Sequence, residues 1–170
     1  MWPNPSLNRT LCGIPRLGLR TTHFSHEKIM ETTSGGCQCG HIRFSLAGEP
    51  LMAAICHCTT CRRANAAPMV AWAMYKEEDV TFARDHPTEY RSSEDAVRGF
   101  CPKCGTQISF KAQYIPGLID ITIGSFDEPN AINPEFHYWY SEHLSWMSVE
   151  DNRAKHAGFP PQADNGATEA

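Results

Sequence analysis

No stretch of this chain of 170 residues approaches the run of about twenty apolar residues that a membrane-spanning helix needs, so no membrane is expected as a partner. The N-terminal stretch has no apolar segment followed by a small-residue cleavage site, so no secretory signal is expected. Repeats of solenoid length are missing, and long amphipathic helical patterns are nearly so. Positive charge is scarce over most of the chain. The first thirty residues carry Arg9, Arg16, Arg20 and Lys28 against Glu27, a net +3, whereas the remaining 140 carry 11 basic and 18 acidic side chains, a net −7. Nucleic-acid affinity comes largely from neutralising phosphates, so a domain at −7 is not expected to bind nucleic acid.

Cysteine is abundant instead. Of eight, only Cys12 stands alone; the others form Cys37/Cys39, Cys56/Cys58/Cys61 and Cys101/Cys104. Cysteines two residues apart rarely bridge without strain, so the crowding argues against a disulfide framework. In a chain lacking a secretory signal it points to metal sites in a reducing compartment, with the cytoplasm as the expected location. In Cys56-His57-Cys58-Thr59-Thr60-Cys61, residues i and i+2 share one side of an extended segment, and i and i+3 meet across a helical turn. The three thiols converge if a strand ends near Cys58 and a turn begins at Thr59. Three thiolates leave one corner of a zinc tetrahedron open, the mark of catalytic sites, whereas four close a structural one. A distant His closing the fourth corner and a buried cluster of reduced thiols are the alternatives.

Cys37 and Cys39 supply two ligands, and Cys101 and Cys104 two more. Joined, they make a closed four-cysteine site, and the seven clustered thiols divide as four plus three, for two Zn²⁺ per chain. The competing arrangement pairs Cys37/Cys39 with two of the central three and leaves the Cys101/Cys104 knuckle half-filled. His41 and His57 lie nearest these ligands. A role behind the ligands or beside the substrate is the reading for His57, with a hydrogen-bonded bystander as the plainer one.

Along the chain, residues 1–33 hold Pro and Gly that interrupt any period, and read as a disordered or non-native arm; Met30 looks like a natural start. His41–Leu46 alternates like a half-buried strand. Leu51–Cys56, Met69–Tyr75, Val80–Phe82, Glu89–Arg91, Ala96–Phe100, Thr106–Phe110, Leu118–Ile123 and Phe136–Tyr140 also read as strands. Arg62–Asn65 reads as a short helical turn stopped by Pro68, and Trp146 as a core residue. From about Lys155 the composition is that of a mobile tail. The class is mainly β with little helix, and the domain spans 34–154, between the arm and a flexible tail at 155–170.

Gly36-Cys37-Gln38-Cys39-Gly40, the run Cys56–Arg62, Pro68, Phe100-Cys101-Pro102-Lys103-Cys104-Gly105-Thr106 and Gly124-Ser125-Phe126-Asp127-Glu128-Pro129 together resemble the glutathione-dependent formaldehyde-activating family, which shares its domain with centromere protein V. The resemblance implies a β-tent fold of short antiparallel strands fastened by zinc. It implies one zinc on Cys37, Cys39, Cys101 and Cys104, and a catalytic one on Cys56, Cys58 and Cys61 with its open corner toward substrate. It also implies a carbon–sulfur lyase that joins glutathione to formaldehyde as S-(hydroxymethyl)glutathione. One position departs from the pattern: where the family usually has Gly two residues before the proline, this chain has Ala66.

On this reading glutathione or another thiol binds beside the three-thiolate metal, which lowers the thiol's pKa. The thiolate attacks formaldehyde or a related small electrophile. Arg62 or Arg63 is a candidate to hold a glutathione carboxylate. Trp72 and Phe126 are candidate pocket walls, with core packing as their plainer role. The rival reading is a non-enzymatic, zinc-stabilised protein-binding module, which has no need of an open metal corner.

Overall fold

Alternation in the sequence resolves into eleven strands in the computed structural model, which describes residues 32–160. Most of the expected arm and the end of the expected tail lie outside the described residues. In order come β1 (Thr32–Gly36), β2 (Arg43–Ala47), β3 (Met52–Cys56), α1 (Thr59–Asn65), β4 (Val70–Lys76), β5 (Val80–Phe82) and β6 (Thr88–Arg91). They are followed by β7 (Ala96–Phe100), β8 (Gln107–Ala112), β9 (Leu118–Thr122), β10 (Phe136–Tyr138) and β11 (Ala154–Lys155). The expected mainly β class is borne out, with α1 the one α-helix among the described residues.

A three-stranded sheet has the order β1-β2-β5, and an eight-stranded sheet the order β11-β10-β3-β4-β9-β8-β7-β6. All pairings are antiparallel except those of β10, which runs parallel to β3 and to β11. The larger sheet is covered on both faces, which is why its central strands read as nearly continuous apolar runs. One face carries Ala53, Ala73, Tyr75, Ile119 and Ile121, and packs with Phe44 and Leu46 of β2 into the main core. The opposite face carries Ala54, Cys56, Val70 and Trp72, and builds a second cluster with Cys61 and Tyr138. This second face holds the candidate site.

The loop after β9 is fastened to the small sheet. Gly35 bridges Phe126, and Asp127 accepts a hydrogen bond from Ser34 Oγ at 2.7 Å and an ion pair from Arg43. A Cβ on Gly35 would lie 2.4 Å from the Phe44 ring and 2.5 Å from the Ser125 carbonyl, so only glycine permits this approach.

Two local expectations differ. Trp146, read as a core residue, is 73% exposed. Beyond Lys155, where the composition suggests mobility, the Trp139 and Tyr140 amides donate to the Gly158 and His156 carbonyls, and Phe159 stacks on Tyr138 at 5.8 Å. An aromatic inside a polar segment found a partner that composition does not reveal.

Candidate metal centres and cavity

β3 ends at Cys56 and α1 begins at Thr59, so the chain turns where the spacing of the thiols requires. Cys58 is the helix N-cap, in an extended conformation (φ −61°, ψ 148°), and its sulfur accepts a hydrogen bond from the Cys61 amide at 3.3 Å. A thiol here does what Ser or Asp does at other N-caps: it satisfies an amide that the helix leaves unpaired. The same bond sets Cys61 one turn above Cys58. Asn65 Nδ2 donates to the Cys61 carbonyl, while Arg62 Nε donates to the His57 carbonyl and Arg62 Nη2 to Thr59 Oγ1. The helix ends at Ala66 in the left-handed region (φ 47°, ψ 41°), the conformation that favours the glycine usual in this pattern.

The sulfurs of Cys56, Cys58 and Cys61 all lie within 4.8 Å of one another. Their electrostatics call for a cation. Hydrogen bonds from Cys56 and then Cys61 hold the Cys58 thiol well below its ordinary range, and the same contact with Cys58 pushes Cys56 far above it. Three adjacent sulfurs cannot all ionise unless a positive charge sits among them.

The second cluster joins Cys37, Cys39, Cys101 and Cys104, whose sulfurs also lie within 4.8 Å of one another. Cys37–Cys39 and Cys39–Cys101 are 3.5 and 3.8 Å apart, close to the ~3.8 Å edge of a tetrahedron with Zn–S bonds of ~2.3 Å. Left-handed glycines follow each pair, Gly40 at φ 73° and Gly105 at φ 76°, and let the chain fold back over the sulfurs. The Ile42 amide then donates to Cys37 Sγ at 3.2 Å. The Thr106 hydroxyl lies 3.2 Å from Cys104 Sγ and, with neighbouring amides, draws that thiol down to about 5. Both donor sets suit a thiophilic ion such as zinc, and thiolate-only sites also accept iron. The four-plus-three grouping is the one the fold brings together.

A cavity of about 920 Å³ opens beside Cys56, Cys58 and Cys61. Strand register builds its floor, because residues directly opposed on neighbouring strands project to the same face. Arg98 opposes Phe110, Phe110 opposes Asp120, Asp120 opposes Met74, and Met74 opposes Met52. All five line the cavity. A second rung brings Trp72 and Phe136 to it, and a third aligns Tyr138 with Cys56. Arg98 is only 4% exposed; its Nη2 lies 3.5 Å from Cys61 Sγ, and its guanidinium sits 4.8 Å over the Phe110 ring. Among the described residues, neither Arg98 Nε nor Nη1 has a hydrogen-bond partner, nor does Trp72 Nε1. Burial pushes the Asp120 carboxyl up to about 7.

His57 lies between two of these cysteines but points away from the cavity. Its Nε2 is 2.8 Å from His137 Nδ1, and His137 Nε2 is 3.0 Å from Asp151 Oδ2. Both rings are buried. Asp151 can only accept, so His137 donates to it through Nε2. Burial, reinforced by the neighbouring His137, lowers His57 to about 4, so it is neutral at pH 7. The hydrogen bond from His137 holds Asp151 well below the usual carboxylate range. The chain Asp151–His137–His57 braces the backbone that presents Cys56 and Cys58.

The other residues singled out in the sequence divide. Trp72 lines the large cavity. Arg63 lines a smaller one of about 470 Å³ with Thr59, Thr60, Arg98 and Gln107. Arg62 lines neither, being engaged by the His57 carbonyl and Thr59. Phe126 lies in the main core against Phe44, with ring centroids 5.8 Å apart, and not in a cavity wall. His41 faces Asp85 at 3.3 Å, and its ring belongs to neither donor set. Sequence reasoning missed Arg98 and Asp120. The available signal was a lone charge within each β run, Ala96–Phe100 and Leu118–Ile123.

Residues 32–142 match the glutathione-dependent formaldehyde-activating enzyme family, and the chain belongs to it. A curated relative from Schizosaccharomyces pombe, described as an uncharacterized lyase, is 32% identical over 81 residues, 48% of this chain. The match spans 58% of that relative's length. A solved structure of a Rhodobacter sphaeroides protein aligns at 23% identity with a TM-score of 0.48, covering 59% of this chain and 91% of that one. Among the described residues no helix is long and apolar enough to cross a membrane.

Proposed function

We propose that this protein is a zinc-dependent lyase of the carbon–sulfur type, acting on glutathione or another thiol together with formaldehyde or a related aldehyde. The observation that carries the reading is the three-thiol cluster in the wall of a cavity, with three protein donors and space beyond them. Three-donor zinc sites keep a position for substrate, as catalytic sites do. The four-cysteine cluster takes the structural ion.

A zinc ion held by Cys56, Cys58 and Cys61 would carry a net charge of −1 with its ligands, and would supply thiol activation rather than strong Lewis acidity. The chain's own residues do the rest. Arg98 lines the cavity beside the cluster, where its guanidinium offers a positive charge to a carboxylate of the thiol substrate. Arg63, in the adjoining smaller cavity, offers a second positive charge. The walls are mostly apolar, and such surroundings strengthen each of these contacts. The reaction forms one C–S bond and breaks the C=O π bond; the thiol's proton ends on the new hydroxyl, and nothing is oxidised or reduced. The arrangement also suits a reducing, thiol-rich compartment such as the cytoplasm.

Exchange between free glutathione plus formaldehyde and their adduct, followed by NMR, tests the reading. Zinc-loaded parent should exceed the uncatalysed rate, and Cys61→Ala should return it to baseline. Baseline exchange with fully loaded parent would remove glutathione–formaldehyde chemistry.

A further inference from the structure

The cavity beside the three thiols is far larger than formaldehyde. A water molecule's share of liquid volume is ~30 Å³, and formaldehyde belongs to that scale. The cavity holds about 920 Å³, the range of pockets that enclose drug-sized ligands. Its floor and walls include Met52, Trp72, Met74, Phe110, Phe136 and Tyr138. The smaller cavity of about 470 Å³ sets Arg63 and Gln107 beside Ala64, Tyr90 and Phe100. The two cavities share Thr60, Ser92 and Arg98. Arg98 touches Cys61 Sγ at 3.5 Å, so the two chambers meet beside the sulfur cluster.

Building on the lyase reading, we infer that the thiol partner carries a carboxylate that lies on Arg98 toward the Arg63 chamber, and that the aldehyde carries a bulky, mainly apolar group that fills the large cavity. The balance of the step is unchanged: R–SH and R′–CHO give R–S–CH(OH)–R′, with the thiol proton on the new hydroxyl. Only the size and polarity of R′ are specified. Asp120 gives the apolar chamber a point at which a polar substituent on R′ can be recognised.

Unreactive thioethers separate binding from chemistry. S-methylglutathione and S-benzylglutathione are titrated calorimetrically into the zinc-loaded full chain. The benzyl compound should bind tighter by roughly tenfold or more, from the apolar area it buries. Met74→Trp, which narrows the chamber, should bring the ratio toward one, and Arg98→Met should weaken both ligands alike. Zinc content and melting temperature are checked for each variant. Equal affinities in the parent, or no binding of either compound, overturn the inference. Equal affinities with accelerated formaldehyde exchange leave the lyase reading standing. A benzyl preference with baseline exchange for both formaldehyde and benzaldehyde keeps the ligand class and overturns the lyase reading.

Discussion

Cys37, Cys39, Cys101 and Cys104 come from two hairpin ends, with Cys39 and Cys101 separated by 62 residues, whereas Cys56, Cys58 and Cys61 come from one six-residue run. An ion in the first cluster closes a long loop and ties β2 to the hairpin of β7 and β8. An ion in the second closes only a local turn, which the Cys58 cap already shapes. Four donors complete a coordination shell, and three leave a corner. The first cluster is served by local donors, the Ile42 amide and the Thr106 hydroxyl. The second is flanked by a buried arginine whose hydrogen-bonding capacity is only partly used. On the proposed reading, identical donor atoms serve two ends: one cluster holds the fold together, and the other is held ready by it.

The sharpest way to break this contrast is to remove one sulfur from each cluster. Cys101→Ser should destabilise the protein by on the order of 5 kcal/mol or more, because a structural metal contributes folding free energy directly. Cys61→Ala should lose the central ion but keep a cooperative thermal transition and the four-cysteine ion. Metal analysis and melting curves read both. Equal losses in the two variants would end the division of labour.

A smaller effect separates the cavity from the core. Burial raises the Asp120 carboxyl from its ordinary 3.8 to about 7. The folded protein then keeps a proton that the unfolded chain releases, so stability falls as pH rises from about 4 to about 7 and stays reduced above that. Asp120→Asn removes this dependence. In denaturation at matched pH, its advantage over the parent should grow by about 2 kcal/mol between pH 5 and pH 8. A constant difference would show that Asp120 is ionised throughout that range.

The smallest effect lies at the end of the helix that carries Cys61. Ala66 adopts φ 47°, where a Cβ is unfavourable, so Ala66→Gly should stabilise the protein by roughly 1 kcal/mol despite the greater freedom of glycine in the unfolded chain. Chemical denaturation measures it. A loss of stability would show that the surroundings of α1 already accommodate the alanine.

Ligand spacing is a local property, and it was legible. In Cys56–Cys61 the i, i+2 and i+3 relations follow from backbone geometry once a strand gives way to a turn, and β3 and α1 supply that junction. The β class was legible for the same reason, since alternation and turn residues act within a few positions. The Leu118–Ile123 run was read correctly as β, but not that it faces a core on one side and a cavity on the other. Covering both faces of a sheet erases the alternation that would have told them apart. Trp146 misled because an isolated aromatic carries no information about which surface covers it.

By itself the sequence determined the β class, the four-plus-three grouping of sulfurs as the favoured arrangement, and the family, because each rests on short-range spacing or on motifs in fixed order. Only the tertiary structure decided what surrounds the open cluster. Arg98, Phe110 and Asp120 become neighbours through the register of β7, β8 and β9, and His57, His137 and Asp151 become a hydrogen-bonded chain because β10 pairs in parallel with β3. Register is set by the sum of packing on both faces of a sheet, and a shift of one residue would send every one of these side chains to the other side.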